Sequence, residues 1–182
     1  MTNQTLPSSP IALLHPSRLV LLSQKAGEFL LNSWAIILTA FFGIACLAAV
    51  GAPILTFFGL DSLARPLFHA LNLICGQIPS HSFYIEGHQV GLCVHCLAIY
   101  SSLFVSGLLF TMSKKRMRGI PWWLCALLAL PLAYDGFSQL LGLRESTWEI
   151  RLITGILFGL GAAWFAFPAL HKGLQAAISP AK

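Results

Sequence analysis

Long stretches of this chain carry no charge, and their lengths set the first expectation. Thirty-two uncharged residues lie between Glu28 and Asp61, 27 between Glu86 and Lys114, 16 between Arg118 and Asp135, and 20 between Arg151 and Lys172. The hydrocarbon core of a bilayer takes about 20 apolar residues in helical form. The pattern predicts four spans, at residues 34–60, 92–113, 120–143 and 152–171. The first contains Pro53, which should kink or shorten it. The third reaches full length only by running through Asp135.

The segments between the spans are mostly short. Met1 to Pro16 is rich in Ser, Thr, Asn and Pro and is expected to be disordered. Residues 17–32 place Leu19, Leu21, Leu22, Phe29 and Leu30 among Arg18, Lys25 and Glu28, which suits a helix lying in the membrane interface. Residues 1–32 thus stand apart from a membrane domain at 33–171 and a tail at 172–182. Residues 61–91 form the longest connection, and a connection of this length is usually functional. Its first half, 63–74, is apolar enough for a re-entrant or interfacial helix. There is no internal repeat, and the first apolar run is too long for a signal-peptide core.

Composition narrows the class. Hydrophobic residues make up 57% of the chain and charged residues 9%, with a mean hydropathy of +0.77. Soluble proteins carry about 45–50% apolar and ~25% charged residues. Six acids and eleven bases cannot cover the water-facing surface of 182 residues. Soluble, disordered and fibrous classes are excluded. The fold class expected is an all-α membrane protein, a bundle of four transmembrane helices with a long outer connection between the first and second.

Charge then orients it. With the N-terminus inside, the cytoplasmic side holds Arg18, Lys25, Lys114, Lys115, Arg116, Arg118, Lys172 and Lys182, and the outer side only Arg65, Arg144 and Arg151. An excess of Lys and Arg marks the cytoplasmic face, so both termini are expected inside, in a multi-pass protein of the cytoplasmic membrane. Phospholipid headgroups account for the basic pI of about 9.2, and no nucleic-acid partner is called for. The bilayer is the expected partner, with other membrane subunits a second. Trp122, Trp123 and Trp148 fall near span ends, as an aromatic belt does.

Five cysteines are present. Cys46 and Cys125 lie inside spans and are read as small packing residues. Cys75, Cys93 and Cys96 differ. Cys93 and Cys96 are separated by two residues where the second span begins, so on a first helical turn both sulfurs face one place, and Cys75 can fold back to it. His81, His88 and His95 crowd the same stretch. Three chemistries fit. Zinc takes four Cys or His ligands in a tetrahedron, and Cys75, Cys93, Cys96 and His81 would supply them. A structural disulfide needs Cys75 and one of the pair, and such bonds persist on the outer face of a bacterial membrane. Thiol–disulfide exchange needs Cys93 and Cys96, one acidified by the helix dipole, with Cys75 resolving.

The second outlier is Asp135, an acid at membrane depth and so a functional candidate. Gln139 lies one helical turn on, and Arg144 and Arg151 bracket the short loop that follows. These four make an expected polar, ion-paired site. Gly155 and Gly159 form a Gly-x-x-x-Gly that lets helices approach closely.

These residues resemble the family of small membrane proteins known as domain of unknown function 2085. Cys75, Gln77, Pro79, Ser82 and Phe83 match its first signature. Cys93, Cys96 and Tyr100 match the second, Asp135, Gly136 and Gln139 the third. Arg144, Ser146, Arg151, Thr154, Gly155 and Gly159 match the fourth. The resemblance covers about residues 75–159 and implies four helices with a polar site on the outer face. It supplies no reaction. Gly76 stands where the family has His, His81 and His95 where it has Arg, and Ala98 where it has Gly. If the family's Cys and His residues bind metal, another group must complete the set here. The spacing of Cys93 and Cys96 also looks like that of quinone-linked disulfide oxidases, but their second cysteine pair has no counterpart in residues 142–150. Three functions are therefore carried forward: a zinc-binding accessory or structural protein, a thiol oxidoreductase, and a transporter or complex subunit centred on Asp135.

Overall fold

The computed structural model describes residues 18–114 and 116–178. The expected disorder before residue 17, Lys115 in the basic loop and the end of the tail lie outside these residues, as do the side chains of Leu19, Leu21, Leu22, Glu28 and Leu30. The chain forms α1 (Arg18–Phe57), α2 (Asp61–Leu71), a 3₁₀ turn (Pro79–His81), β1 (Ser82–Ile85), β2 (His88–Cys93), α3 (Val94–Met112), α4 (Trp122–Leu140) and α5 (Trp148–Ile178). Residues 18–32 and the first span are one continuous helix, which runs through Pro53 to Phe57. Among the described residues, three helical stretches are long and apolar enough to cross a membrane: Ser33–Phe57, Val94–Met112 and Trp148–Ala177. In α4, Trp122, Trp123, Pro131, Tyr134, Asp135 and Gln139 dilute the apolar run.

The expectation of an all-α chain needs one correction. Residues 82–93 form an antiparallel hairpin, with Tyr84 opposite Gln89 and Ile85 opposite His88. Its two-residue turn places Glu86 at φ 48° and Gly87 at φ 78°, the left-handed pair that matches the twist of a tight hairpin.

The helices pack inside out relative to a soluble protein. Most buried helix positions are small or polar, among them Ala35, Thr39, Ala45, Ala49, Ala52, Ala98, Ser102, Ser106 and Ala163, with Phe110 and Phe167 large exceptions. Large apolar side chains face outward: Ile36, Ile44 and Leu47 on α1, Val105 and Leu109 on α3, Leu127, Leu130 and Phe137 on α4, Ile153 and Phe165 on α5. Lipid solvates such side chains as well as a core does, so close approach through small residues, rather than hydrophobic burial, holds the helices together.

Contacts fix the helix directions. A Cβ at Gly155 would lie 2.7 Å from Ala98 Cβ and 3.0 Å from the His95 carbonyl, and one at Gly159 would lie 2.9 Å from the Ile99 carbonyl and collide with Ser102. Further along, Phe110 and Phe167 have ring centroids 5.6 Å apart. Residue numbers rise together, so α3 and α5 run parallel. Leu128 packs on Gly161 and Pro168 on Gly119, so α4 runs antiparallel to α5. Phe104 packs on Gly43 and Thr39 on Gly107, so α1 runs antiparallel to α3. The hairpin, the start of α3 and the α4–α5 loop therefore meet at one end of the bundle.

Candidate functional site

Cys75 follows α2, Cys93 ends β2 and Cys96 sits in the first turn of α3. Their sulfurs all lie within 4.8 Å of one another, and those of Cys75 and Cys93 approach to 3.4 Å. All three are free thiols. Cys75 is buried, and the other two are half-buried. Tetrahedral zinc with Zn–S bonds of 2.3 Å sets ligand sulfurs about 3.8 Å apart, within the range seen here. The backbone N–H groups of Gln77 and Cys93 point at Cys75 Sγ from 3.5 and 3.3 Å. Donors aimed at sulfur favour the thiolate. Hydrogen bonding from Cys93, then Cys96, holds the Cys75 thiol well below its ordinary pKa, while sharing that proton pushes the Cys93 thiol up. Cys75 is thus the sulfur that its surroundings favour as a thiolate, the form that binds a metal or acts as a nucleophile.

Gln77 builds the pocket under Cys75. It is buried at φ 47°, and its side-chain amide donates to the Phe68 carbonyl at 2.8 Å and the Gly91 carbonyl at 2.9 Å. Its own carbonyl accepts from Gln89 Nε2 at 2.8 Å. One residue thus ties α2 and β2 to the thiol it hydrogen-bonds. Tyr100 donates to the Ile74 carbonyl at 3.1 Å and closes the site from α3. Sequence reasoning gave Gln77 no such part.

The four expected metal ligands do not all meet. Among the described residues no histidine joins the three sulfurs within that distance. His81 instead lines a cleft with Ser80, Gln139, Gly142, Arg144, Glu145, Ser146 and Arg151. The 3₁₀ turn that carries it leads into β1 on the α5 side, where Phe83 packs edge-on against Trp148, centroids 5.9 Å apart. Burial and the nearby Arg151 charge lower the His81 pKa.

Beside the thiols, Asp135 is 1% exposed. Its Oδ1 accepts from Arg144 at 2.6 Å, and its Oδ2 accepts from Gln139 Nε2 at 2.9 Å and lies 3.2 Å from His95 Nε2. Arg144 also reaches Ser138 Oγ at 3.3 Å and lies over the Tyr134 ring at 5.7 Å. Arg151 bonds not to Asp135 but to Gln139 Oε1 at 2.9 Å and the Ser80 carbonyl at 3.2 Å. The ion pair is therefore with Arg144, and Arg151 reaches the acid only through Gln139. His95, which sequence reasoning left without a role beside Asp135, also contacts Thr154 Oγ1 at 3.3 Å. Successive helical residues point about 100° apart, so Cys96 faces the thiols while His95 faces α4 and α5. The first turn of α3 carries both sites, one on each side.

No solved structure matches this chain. An uncharacterized protein of Methanocaldococcus jannaschii is 38% identical over 109 residues, 58% of this chain and 69% of the relative. An uncharacterized protein of Methanothermobacter thermautotrophicus is 34% identical over 90 residues, 50% of this chain and 81% of the relative. Residues 75–165, half of the chain, match the family model described as a predicted membrane protein, DUF2085. The match begins at Cys75, runs through Cys93, Cys96 and Asp135, and ends beyond Gly159, so both sites lie inside it, and this chain belongs to the DUF2085 family of membrane proteins.

Proposed function

We propose that this protein is a four-span membrane protein whose Cys75, Cys93 and Cys96 thiolates bind zinc in a structural or accessory role. One observation carries the reading: three sulfurs from three separate elements converge within 4.8 Å. Zinc there would supply no redox chemistry and would pin the α2 end, the hairpin and α3 to one point. With no histidine in reach, the fourth position falls to water or a group from outside the described residues. Metal analysis of the purified protein with thiol counting tests this. One zinc per chain, and three thiols that become reactive only after chelation, is the expected result. Absence of metal, with two of the three thiols oxidised, rejects it.

A second reading rests on the 3.4 Å approach of Cys75 and Cys93. Joining them as a disulfide releases two electrons and two protons, which a quinone or a partner disulfide would have to accept. Rapid disulfide formation on adding a quinone in the absence of metal favours that oxidoreductase reading.

The fourth span of this proposal is α4. Helices α3 and α5 run parallel, so the chain between them must return across the bilayer, and α4 turns an apolar face outward. Its one deeply buried acid is neutralised within the bundle by Arg144. On this reading the cysteine end faces outside and the basic α3–α4 loop inside. The structure gathers Arg144 and Arg151 at the thiol end and Arg116, Arg118 and Lys172 around the other, where Ile120 N–H bonds the Trp164 carbonyl. A membrane-impermeant maleimide applied to intact cells should label a cysteine at Thr147 and not one at Ser113, in a cysteine-free background. The opposite pattern reverses the orientation.

A further inference from the structure

The cleft beside Asp135 has a charge arrangement that the ion pair leaves open. It measures about 390 Å³ and is lined by Ser80, His81, Gln139, Gly142, Arg144, Glu145, Ser146 and Arg151. Arg151 is 5% exposed. Two of its guanidinium nitrogens donate to neutral acceptors, the Ser80 carbonyl and Gln139 Oε1, and its buried Nε has no partner. Asp135 is engaged by Arg144, Gln139 and His95, so it does not neutralise Arg151 directly. Glu145 is exposed to solvent and makes no ion pair among the described residues. A buried guanidinium that lines a cleft and keeps one donor without a partner is costly unless a counter-charge comes close.

We propose that this cleft is an oxyanion-binding site for a phosphate-type group, held by Arg151 and Arg144 with His81 and Ser146 at its wall. Arg151 lines the cleft with its charge unneutralised and its Nε–H without a partner. Arg144, 38% exposed, spends one terminal nitrogen on Asp135 and Nε on Ser138, which leaves the rest of its fork for an oxygen. The guanidinium fork matches the geometry of phosphate oxygens. The cleft also lies at the start of α5, a 31-residue helix, whose dipole adds positive potential where its first N–H groups are free. The same chemistry is offered by a free phosphate and by the phosphodiester of a phospholipid headgroup. Exposed Leu141, Leu143 and Trp148 beside the cleft place it at the depth of headgroups as readily as of water.

Full-length protein in a maltoside detergent separates the two sources. Thermal unfolding is followed against inorganic phosphate, with chloride at matched ionic strength as control, and retained phospholipid is read by native mass spectrometry. A saturable rise in Tm with phosphate and not chloride identifies a soluble anion. One phospholipid retained per chain, with no response to phosphate, identifies a headgroup. In either case Arg151→Lys, which keeps the charge but loses the fork, should weaken binding at least tenfold. His81→Asp, which puts a negative charge at the wall without touching the buried arginine, should abolish it and covers the case in which Arg151→Lys does not fold. Neither phosphate response nor retained lipid in the wild type, or binding that survives His81→Asp unchanged, overturns the proposal.

Discussion

On the zinc reading, Cys75→Ser should abolish metal binding and lower stability together. Zinc-site binding energy is folding energy, on the order of 10 kcal/mol for small structural sites. The helix contacts of this bundle lie mostly away from the site, so a loss of only about 3 kcal/mol is expected, which lowers Tm by roughly 6–12 °C for a chain of this size. Metal content should fall below a tenth of the wild-type value. Cys96→Ser sets the readings apart: three-thiolate zinc binding needs Cys96, whereas a Cys75–Cys93 disulfide does not. Cys46→Ser and Cys125→Ser, outside the cluster, should leave metal content unchanged. Full zinc retention in Cys96→Ser would remove the three-thiolate site.

The second large effect is expected at the Asp135–Arg144 pair. Asp135→Asn leaves Arg144 without its counter-charge and weakens the His95 contact, and breaking a buried pair from one side costs about 3–5 kcal/mol. The half-exposed Arg144 places the loss at the low end of that range. A double-mutant cycle of Asp135→Asn with Arg144→Gln, read by thermal unfolding in detergent, should give a coupling of about 1–3 kcal/mol. The cycle with Arg151→Gln should give less, because Arg151 meets Asp135 only through Gln139. Additivity within about 0.5 kcal/mol in the Arg144 cycle means no working pair. Asp135 is then free for a proton or a ligand, as a transporter requires.

Much of this arrangement is legible in the residues, for identifiable reasons. Charge-free runs locate α1, α3 and α5 because a bilayer admits little else at that length. The cysteine cluster is legible because a two-residue gap at a helix start aims both sulfurs one way. The hairpin is not, since its strands are only four and six residues long, and its turn is Glu-Gly rather than the stronger Asn-Gly signal. Nor is the parting of His81 from the thiols, which depends on a single 3₁₀ turn whose direction no local pattern encodes. The partner of His95 is half legible: its position next to Cys96 already turns it away from the thiols, but which helix waits there is a matter of tertiary packing.

The two faces of that first turn of α3 differ in when they can form as the chain is made. Everything the thiol cluster needs, from Phe68 through Gln77 to Tyr100, lies upstream of α4, so a nascent chain can gather its sulfurs while the last two helices are still in the ribosome or the insertion channel. The carboxylate knot on the other face has to wait for Arg144, Arg151 and Thr154. Biogenesis then has a built-in order: the cysteine side is settled early, on a hairpin carried between α1 and α3, and the arrival of α5 is the late step that completes the polar contacts around Asp135.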